Sequence, residues 1–109
     1  MKIDCHVHLY CESQVSGGYF RPDLVRRIGE RIQSRRLGIP RARDAVEQER
    51  LYVETLARYV ESSELDRAVL LAFDEIYDEN GARDPGRSRY FVPNDFVRAV
   101  CRDRPDRFL

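Results

Sequence analysis

Two segments of this chain have the character of β-strands, and helical patterns lie between them. Residues 2–9 alternate between apolar and polar side chains with a period of two, which is typical of a strand. Residues 66–73 contain the continuous apolar run from Ala68 to Phe73, which is typical of a strand buried on both faces. Strands joined through helices pair in parallel by right-handed crossovers. The order of segments therefore restricts the chain to an α/β fold with a parallel sheet.

Helical spacing of apolar residues predicts two helices between these strands. The first begins at Pro22, a favoured first-turn residue, and ends at the Gly38 and Pro40 stop signals. The second begins with the capping-box pattern Asp44-x-x-Glu47 and continues to about residue 62. The apolar residues predicted to form the inner face of the first helix are Leu24, Val25, Ile28 and Ile32.

The remainder of the chain predicts a third helix and the start of another strand. Asn94 is the predicted cap of a helix that runs from Asp95 to about Asp103, and Pro105 follows it. Residues 107–109 have the character of the first residues of a strand. Residues 10–21 and 74–89 contain glycine and proline turn signals, and we expect both to be loops.

The charge composition limits the classes of partner. The chain has 19 basic and 19 acidic residues, and a net charge of zero argues against a broad nucleic-acid or membrane footprint. No apolar run approaches the roughly 18 residues of a membrane span. Three cysteines are too few for a disulfide scaffold, and the first residues lead directly into a strand without a signal peptide. We therefore expect a cytoplasmic protein with reduced thiols and a small-molecule partner.

The candidate functional residues of the first strand lie on its polar face. His6 and His8 are two residues apart, so they share one face with Cα atoms about 6.5 to 7 Å apart. Two imidazoles at this spacing can each place a nitrogen about 2.0 to 2.1 Å from one zinc ion. Asp4, one step deeper on the same face, is expected to orient an imidazole. We predict a divalent metal site, with zinc as the first choice, although imidazole also suits iron, nickel or copper.

Other residues near this strand are secondary candidates. Tyr10 and Glu12 follow the histidines, and Asp74 follows the second strand, so all three are predicted substrate contacts. Cys5 and Cys11 flank the histidine pair and raise the alternative of a structural zinc site. Alternation places Cys5 on the opposite face, which favours a small core residue there, and Cys101 is expected to be a core residue on its helix.

The segment Ile3-Asp4-Cys5-His6-Val7-His8-Leu9 resembles the opening of metal-dependent enzymes of the amidohydrolase superfamily, whose first barrel strand carries a His-x-His pair. Two later stretches are similar to the amidohydrolase-related branch of that superfamily. One is residues 66–71, which resemble its second strand. The other combines Pro93-Asn94-Asp95-Phe96-Val97 with Arg104-Pro105-Asp106-Arg107-Phe108. The motifs occur in the family's order along the whole chain, and residues 10–64 are the least specific portion.

The resemblance implies the amino-terminal part of a TIM-type (β/α)8 barrel, with residues 1–109 as an incomplete portion of one domain. His6 and His8 match the first two metal ligands of the family, which adds histidine from later strands and a catalytic aspartate. A whole barrel needs on the order of 250 residues, so we expect those residues beyond Leu109 and expect the 109-residue chain alone to be inactive. The implied reaction is hydrolysis by a metal-activated water, or decarboxylation, of a small carbonyl or carboxylate compound.

Two other interpretations remain open from the residues. One is a non-catalytic α/β module that binds metal or oligomerises. The other is a deoxyribonuclease-like metal-dependent barrel hydrolase. The first strand of this chain resembles the first strand of that group, but the segments around Asn94 and Asp106 fit the group less well. The exposed strand edges of an incomplete barrel would favour a homo-oligomer.

Overall fold

The computed structural model describes all 109 residues as an α/β arrangement with three helices and a parallel strand pair. The elements in chain order are β1 (Ile3–His8), β2 (Tyr19–Phe20), α1 (Leu24–Arg36), α2 (Ala45–Ser62), β3 (Arg67–Leu71), β4 (Tyr90–Phe91) and α3 (Asn94–Asp103). The predicted order strand, helix, helix, strand, helix is present in β1, α1, α2, β3 and α3, and the short strands β2 and β4 are additional. None of the three helices combines the length and the apolar character that a membrane span requires.

Parallel pairing joins three segments of the chain in sequence order. β1 pairs in parallel with β3, and Phe108 forms a parallel bridge with Ala68 on the other edge of β3. The amide of Ala68 donates to Arg107 O at 2.9 Å, and the amide of Leu109 donates back to Ala68 O at 2.9 Å. The prediction that residues 107–109 begin another strand is thus supported by their hydrogen bonds.

A bulge interrupts the regular alternation of β1. Asp4 pairs with Ala68 and Val7 pairs with Leu70, so two residues of β1 lie opposite Val69 alone. An extra residue in one strand moves the side chains that precede it to the opposite face of the sheet from the one that regular alternation predicts. Asp4 and Val7 consequently line one small cavity with residues of α2, and the prediction that Asp4 shares the face of the histidines is wrong.

Helices cover one face of the sheet. Ala68 and Leu70 of β3 are buried in a core cluster with Val60 of α2 and Val100 of α3. The alternate residues of β3, Val69 and Leu71, are only half-buried. The prediction that this strand is buried on both faces is therefore confirmed for the helix side only.

The first helix departs from prediction in its packing. Its bounds are close to those expected, and Asp23 caps it by accepting the amide of Arg26 at 2.9 Å. Its apolar stripe does not face a core, because no residue of α1 is buried. The predicted inner-face residues are exposed by 74% for Leu24, 78% for Val25, 51% for Ile28 and 52% for Ile32.

Two local predictions about caps have different outcomes. Asp44 accepts the amide of Glu47 at 2.8 Å, as the capping box of α2 predicts, and Glu47 accepts the amide of Arg43. Asn94 does not cap α3, because the helix begins at Asn94 itself and Pro93 is the cap residue without a side-chain bond. Proline fixes the backbone dihedral angle φ near the value that precedes a helix, so no side-chain acceptor is required there.

A short antiparallel pair was not predicted. Tyr19 pairs with Phe91 and Phe20 pairs with Tyr90, so β2, within the first predicted loop, pairs with β4, which directly follows the second. Two-residue strands have no periodicity to detect. They place aromatic residues beside the carboxyl end of β1.

Candidate metal and ligand site

The two histidines of β1 hold their rings together. The Nε2 atoms of His6 and His8 lie 3.1 Å apart, with ring planes at 79°. A tetrahedral ion at about 2.0 to 2.1 Å from two nitrogens separates them by about 3.3 Å. The two Nε2 atoms are therefore close to the separation that one ion requires, and they are also within hydrogen-bond distance of each other.

The ring of His8 is fixed more firmly than that of His6. His8 is half-buried and its ring contacts Phe73 edge to face at 5.6 Å, whereas His6 is exposed. His8 pairs in register with Leu71, so it lies on the sheet face that α2 and α3 leave open. Its Nδ1 is buried without a hydrogen-bond partner, which leaves Nε2 as the nitrogen available for coordination.

Asp4 and the cysteines do not join the histidine rings. Asp4 Oδ1 accepts the backbone amide of His6 at 3.0 Å, so it supports the bulge of the strand and not an imidazole. The prediction of a core Cys5 is wrong, because this residue lies in the bulge and is exposed. Cys11 is fully buried in the core, where its thiol contacts Ser16. A zinc site shared by Cys5 and Cys11 is excluded by these opposite locations.

A cavity of about 820 Å³ lies at the carboxyl end of β1 and is lined by His8. Of the three predicted substrate contacts, Tyr10 and Glu12 line this cavity. Asp74 does not line it; its carboxylate accepts the adjacent amide of Glu75 at 2.8 Å. The site therefore includes residues after the first strand, while the acidic loop after the second strand lies outside it.

Two tyrosine hydroxyls hold the backbone at the end of β1, and a third holds a side chain in the loop that follows. Tyr52 of α2 donates to His8 O at 3.4 Å, and Tyr90 of β4 donates to Leu9 O. Tyr10 donates to the Glu12 carboxylate. Burial raises the pKa of Tyr52 and Tyr90, so both hydroxyls stay protonated as donors. Sequence analysis does not identify Tyr52 and Tyr90, because both come from segments distant from the histidines.

A buried carboxylate holds the segment that follows β1. Glu49 is only 5% exposed, and Oε1 accepts the backbone amides of Glu12 and Ser13 at 2.6 Å each. The hydroxyl of Ser13 donates to Oε2 at 2.7 Å, and that of Ser16 donates to Oε1 at 2.8 Å. Four donors on one carboxylate satisfy its charge in the interior. Glu49 thus fixes the loop from which Tyr10 and Glu12 reach the cavity.

Two glutamates of the cavity lie close enough for the charge of one to act on the other. Glu30 of α1 lines the same cavity as Glu12. Burial, and to a smaller extent the Glu12 charge, raise the pKa of Glu30 to about 7 against the opposing charge of Arg27. Neither carboxylate forms an ion pair. The lining thus contains carboxylates without an ion-pair partner, together with the guanidinium groups of four arginines.

The donor set fits a divalent ion in part. His6 and His8 supply two nitrogen ligands, while catalytic zinc has three protein ligands as a rule. The structure contains no group of three or more histidine, cysteine, aspartate or glutamate residues that could hold a metal ion. Within this chain the two histidines are therefore the ligands to be tested. Comparison of the chain with protein-family models, curated proteins and solved structures found no match.

Proposed function

We propose that this chain forms the amino-terminal part of a cytoplasmic, metal-dependent enzyme of the amidohydrolase superfamily, in its amidohydrolase-related branch. The enzyme would hydrolyse or decarboxylate a small carbonyl or carboxylate compound. The observation that carries the proposal is the 3.1 Å separation of the His6 and His8 Nε2 atoms on the sheet face left open by α2 and α3.

The fold supports the proposal through the order of its parallel segments. β1, β3 and residues 107–109 are neighbours in sequence order, and α2 and α3 lie on one face of β3. A (β/α)8 barrel has this order, with helices outside and catalytic residues at the carboxyl ends of the strands. His8 lies at that end of β1, next to the cavity.

The residues of this chain would have separate roles in such a site. His6 and His8 would hold the ion, and a divalent ion supplies Lewis-acid polarisation of a substrate carbonyl or carboxylate when bound. Phe73 packs on the His8 ring and restricts its orientation. The tyrosine hydroxyls of Tyr52 and Tyr90 fix the backbone just after the ligands. The remaining ligands and the proton-transferring aspartate would come from later strands of the barrel.

Equilibrium dialysis against zinc tests the metal assignment. The protein is expected to bind about one ion, and the double variant His6→Ala/His8→Ala is expected to bind none. Cys5→Ser is the matched control, because it removes the exposed thiol beside the pair and leaves both imidazoles in place. Unchanged zinc content in the double histidine variant would overturn the proposal.

The gene sequence gives a second test. The reading frame after the codon for Leu109 is expected to encode a further histidine and a late aspartate in α/β repeats. A stop codon at that point, together with a folded 109-residue product, would contradict the enzyme and favour a small non-catalytic module.

A further inference from the structure

The cavity beside His8 has an aromatic wall. Tyr10, Phe20, Tyr52 and Tyr90 all line it, and their rings contact one another in series. The centroids are 6.0 Å apart for Tyr52 and Tyr10, 5.8 Å for Tyr10 and Phe20, and 5.6 Å for Phe20 and Tyr90. The hydroxyls of Tyr52 and Tyr90 donate to backbone oxygens at the end of β1, and that of Tyr10 donates to the Glu12 carboxylate. The rings themselves are therefore what this wall offers to a ligand.

Two glutamates also line the cavity, and Asp44, which caps α2, is the third carboxylate there. Glu12 and Glu30 lack ion-pair partners, and repulsion by the Glu12 charge raises the pKa of Glu30. A positive group between them would remove this repulsion. Aromatic rings attract cations through their quadrupole, and rings with carboxylates are the usual recognition chemistry for ammonium groups.

Arginine side chains also line the cavity, so an anion is the competing ligand. Arg31, Arg35, Arg41 and Arg43 are all exposed, and water and salt screen their field. Glu12 is exposed as well, whereas the aromatic rings and Glu30 are half-buried, so the interactions of the rings and of Glu30 are screened less. The least screened groups of the lining, the rings and Glu30, therefore favour a cation as the ligand.

We propose that this cavity binds a small organic cation with a quaternary or protonated ammonium group, held by the aromatic wall and by Glu12 and Glu30. The inference deepens the proposed function and rests on it, since it assigns a substrate class to the cavity that His8 lines. The recognition itself uses rings and carboxylates, so binding can be measured separately from the metal.

Calorimetric titration with choline and 3,3-dimethylbutan-1-ol tests the proposal, because the two molecules have similar shapes and only choline is charged. Choline is expected to bind about three- to thirtyfold more tightly, which is the range of a cation–π contribution. Equal affinity of the two probes would overturn the proposal. Tighter binding of benzoate than of choline would also overturn it and assign the cavity to anions.

Single substitutions test which residues are responsible for choline binding. Glu30→Gln and Phe20→Leu are expected to weaken choline binding about three- to tenfold. Glu79→Gln and Tyr77→Leu, an exposed acid and an exposed aromatic residue outside the cavity, are the matched controls. Glu30 is on a helix without buried residues, so Glu30→Gln remains informative if Phe20→Leu does not fold. Unchanged choline affinity in Glu30→Gln would overturn the proposal.

His6→Ala separates the two proposals, since His6 does not line the cavity. This variant is expected to lose zinc and to keep its selectivity for choline. Absence of zinc binding by the unmodified protein, with choline selectivity intact, would overturn the metal assignment alone. Zinc binding without choline selectivity would overturn the ligand class alone.

Discussion

At the scale of single residues, buried and partly buried carboxylates determine how the end of β1 is held. Glu49 is surrounded by four donors, whereas Glu30 has no hydrogen-bond partner and adjoins the charge of Glu12. The first carboxylate is satisfied and structural. The second has no partner within the protein and faces a cavity, which is the pattern expected of a residue that meets a ligand.

Replacing Glu49 should destabilise the protein. Glu49→Ala leaves the amides of Glu12 and Ser13 without their acceptor in a buried location, and we expect the free energy of unfolding to fall by about 2 to 4 kcal/mol. Urea unfolding monitored by circular dichroism measures the change. Glu54→Gln, on the same helix in an ion pair with Arg50, should change stability by under about 0.5 kcal/mol. Equal effects of the two substitutions would contradict the role given to Glu49.

Glu30 should make stability depend on pH. Its pKa is about 7 in the folded protein and its ordinary value is 4.5, so the folded state binds more protons between these values. Stability should therefore be highest below about pH 4.5 for this group and decrease as pH rises towards 7. Glu12 and Arg27 are the charges that act on it. In Glu30→Gln, this decrease should be absent from urea midpoints measured across the window; an identical pH profile would refute the assignment.

At the scale of elements, the close approach of two loops forms the aromatic wall. β2 passes so near to β4 that a Cβ atom at Gly18 would lie 2.6 Å from the backbone oxygen of Phe91 and 2.1 Å from Cys11 Sγ. Only glycine permits this contact. The wall of the cavity therefore depends on one residue without a side chain.

Two alanine substitutions test this dependence. Gly18→Ala should separate β2 from β4 and cost about 1 to 3 kcal/mol, the range of overpacking. Gly29→Ala, within α1 with no atom within 4 Å of the new Cβ, should instead stabilise the protein by about 0.5 to 1 kcal/mol. Thermal unfolding distinguishes the two signs. A neutral Gly18→Ala would show that the approach of β2 and β4 is not required.

At the scale of the whole molecule, periodicity predicted the elements well and their environment less well. The parallel pairing of β1 and β3 followed from the segment order, and the His6 and His8 contact followed from their spacing. An alternating sequence contains no signal for the bulge that places Asp4 on the opposite face of β1 from the histidines. The exposed stripe of α1 could not be anticipated either, because amphipathic spacing does not specify the surface that a helix packs against.

Sequence analysis also missed residues that reach the site through long-range contacts. Three residues contact the end of β1 or the loop that follows it from segments more than 30 positions away. They are Tyr52, Tyr90 and Glu49. Tyrosine within a helix is ordinarily a packing residue, and glutamate within a helix is ordinarily solvated. Their roles follow from tertiary structure, which only the folded chain shows.

Binding of one divalent ion by the Nε2 atoms of His6 and His8, as proposed, can be followed directly by NMR. The chain has two histidines, so a long-range ¹H–¹⁵N spectrum of their imidazoles during zinc titration reports on this pair alone. We expect the Nε2 resonances of both residues to shift together and to saturate at the same zinc concentration. Resonances that stay in place, or a shift at Nδ1, would contradict this mode of binding.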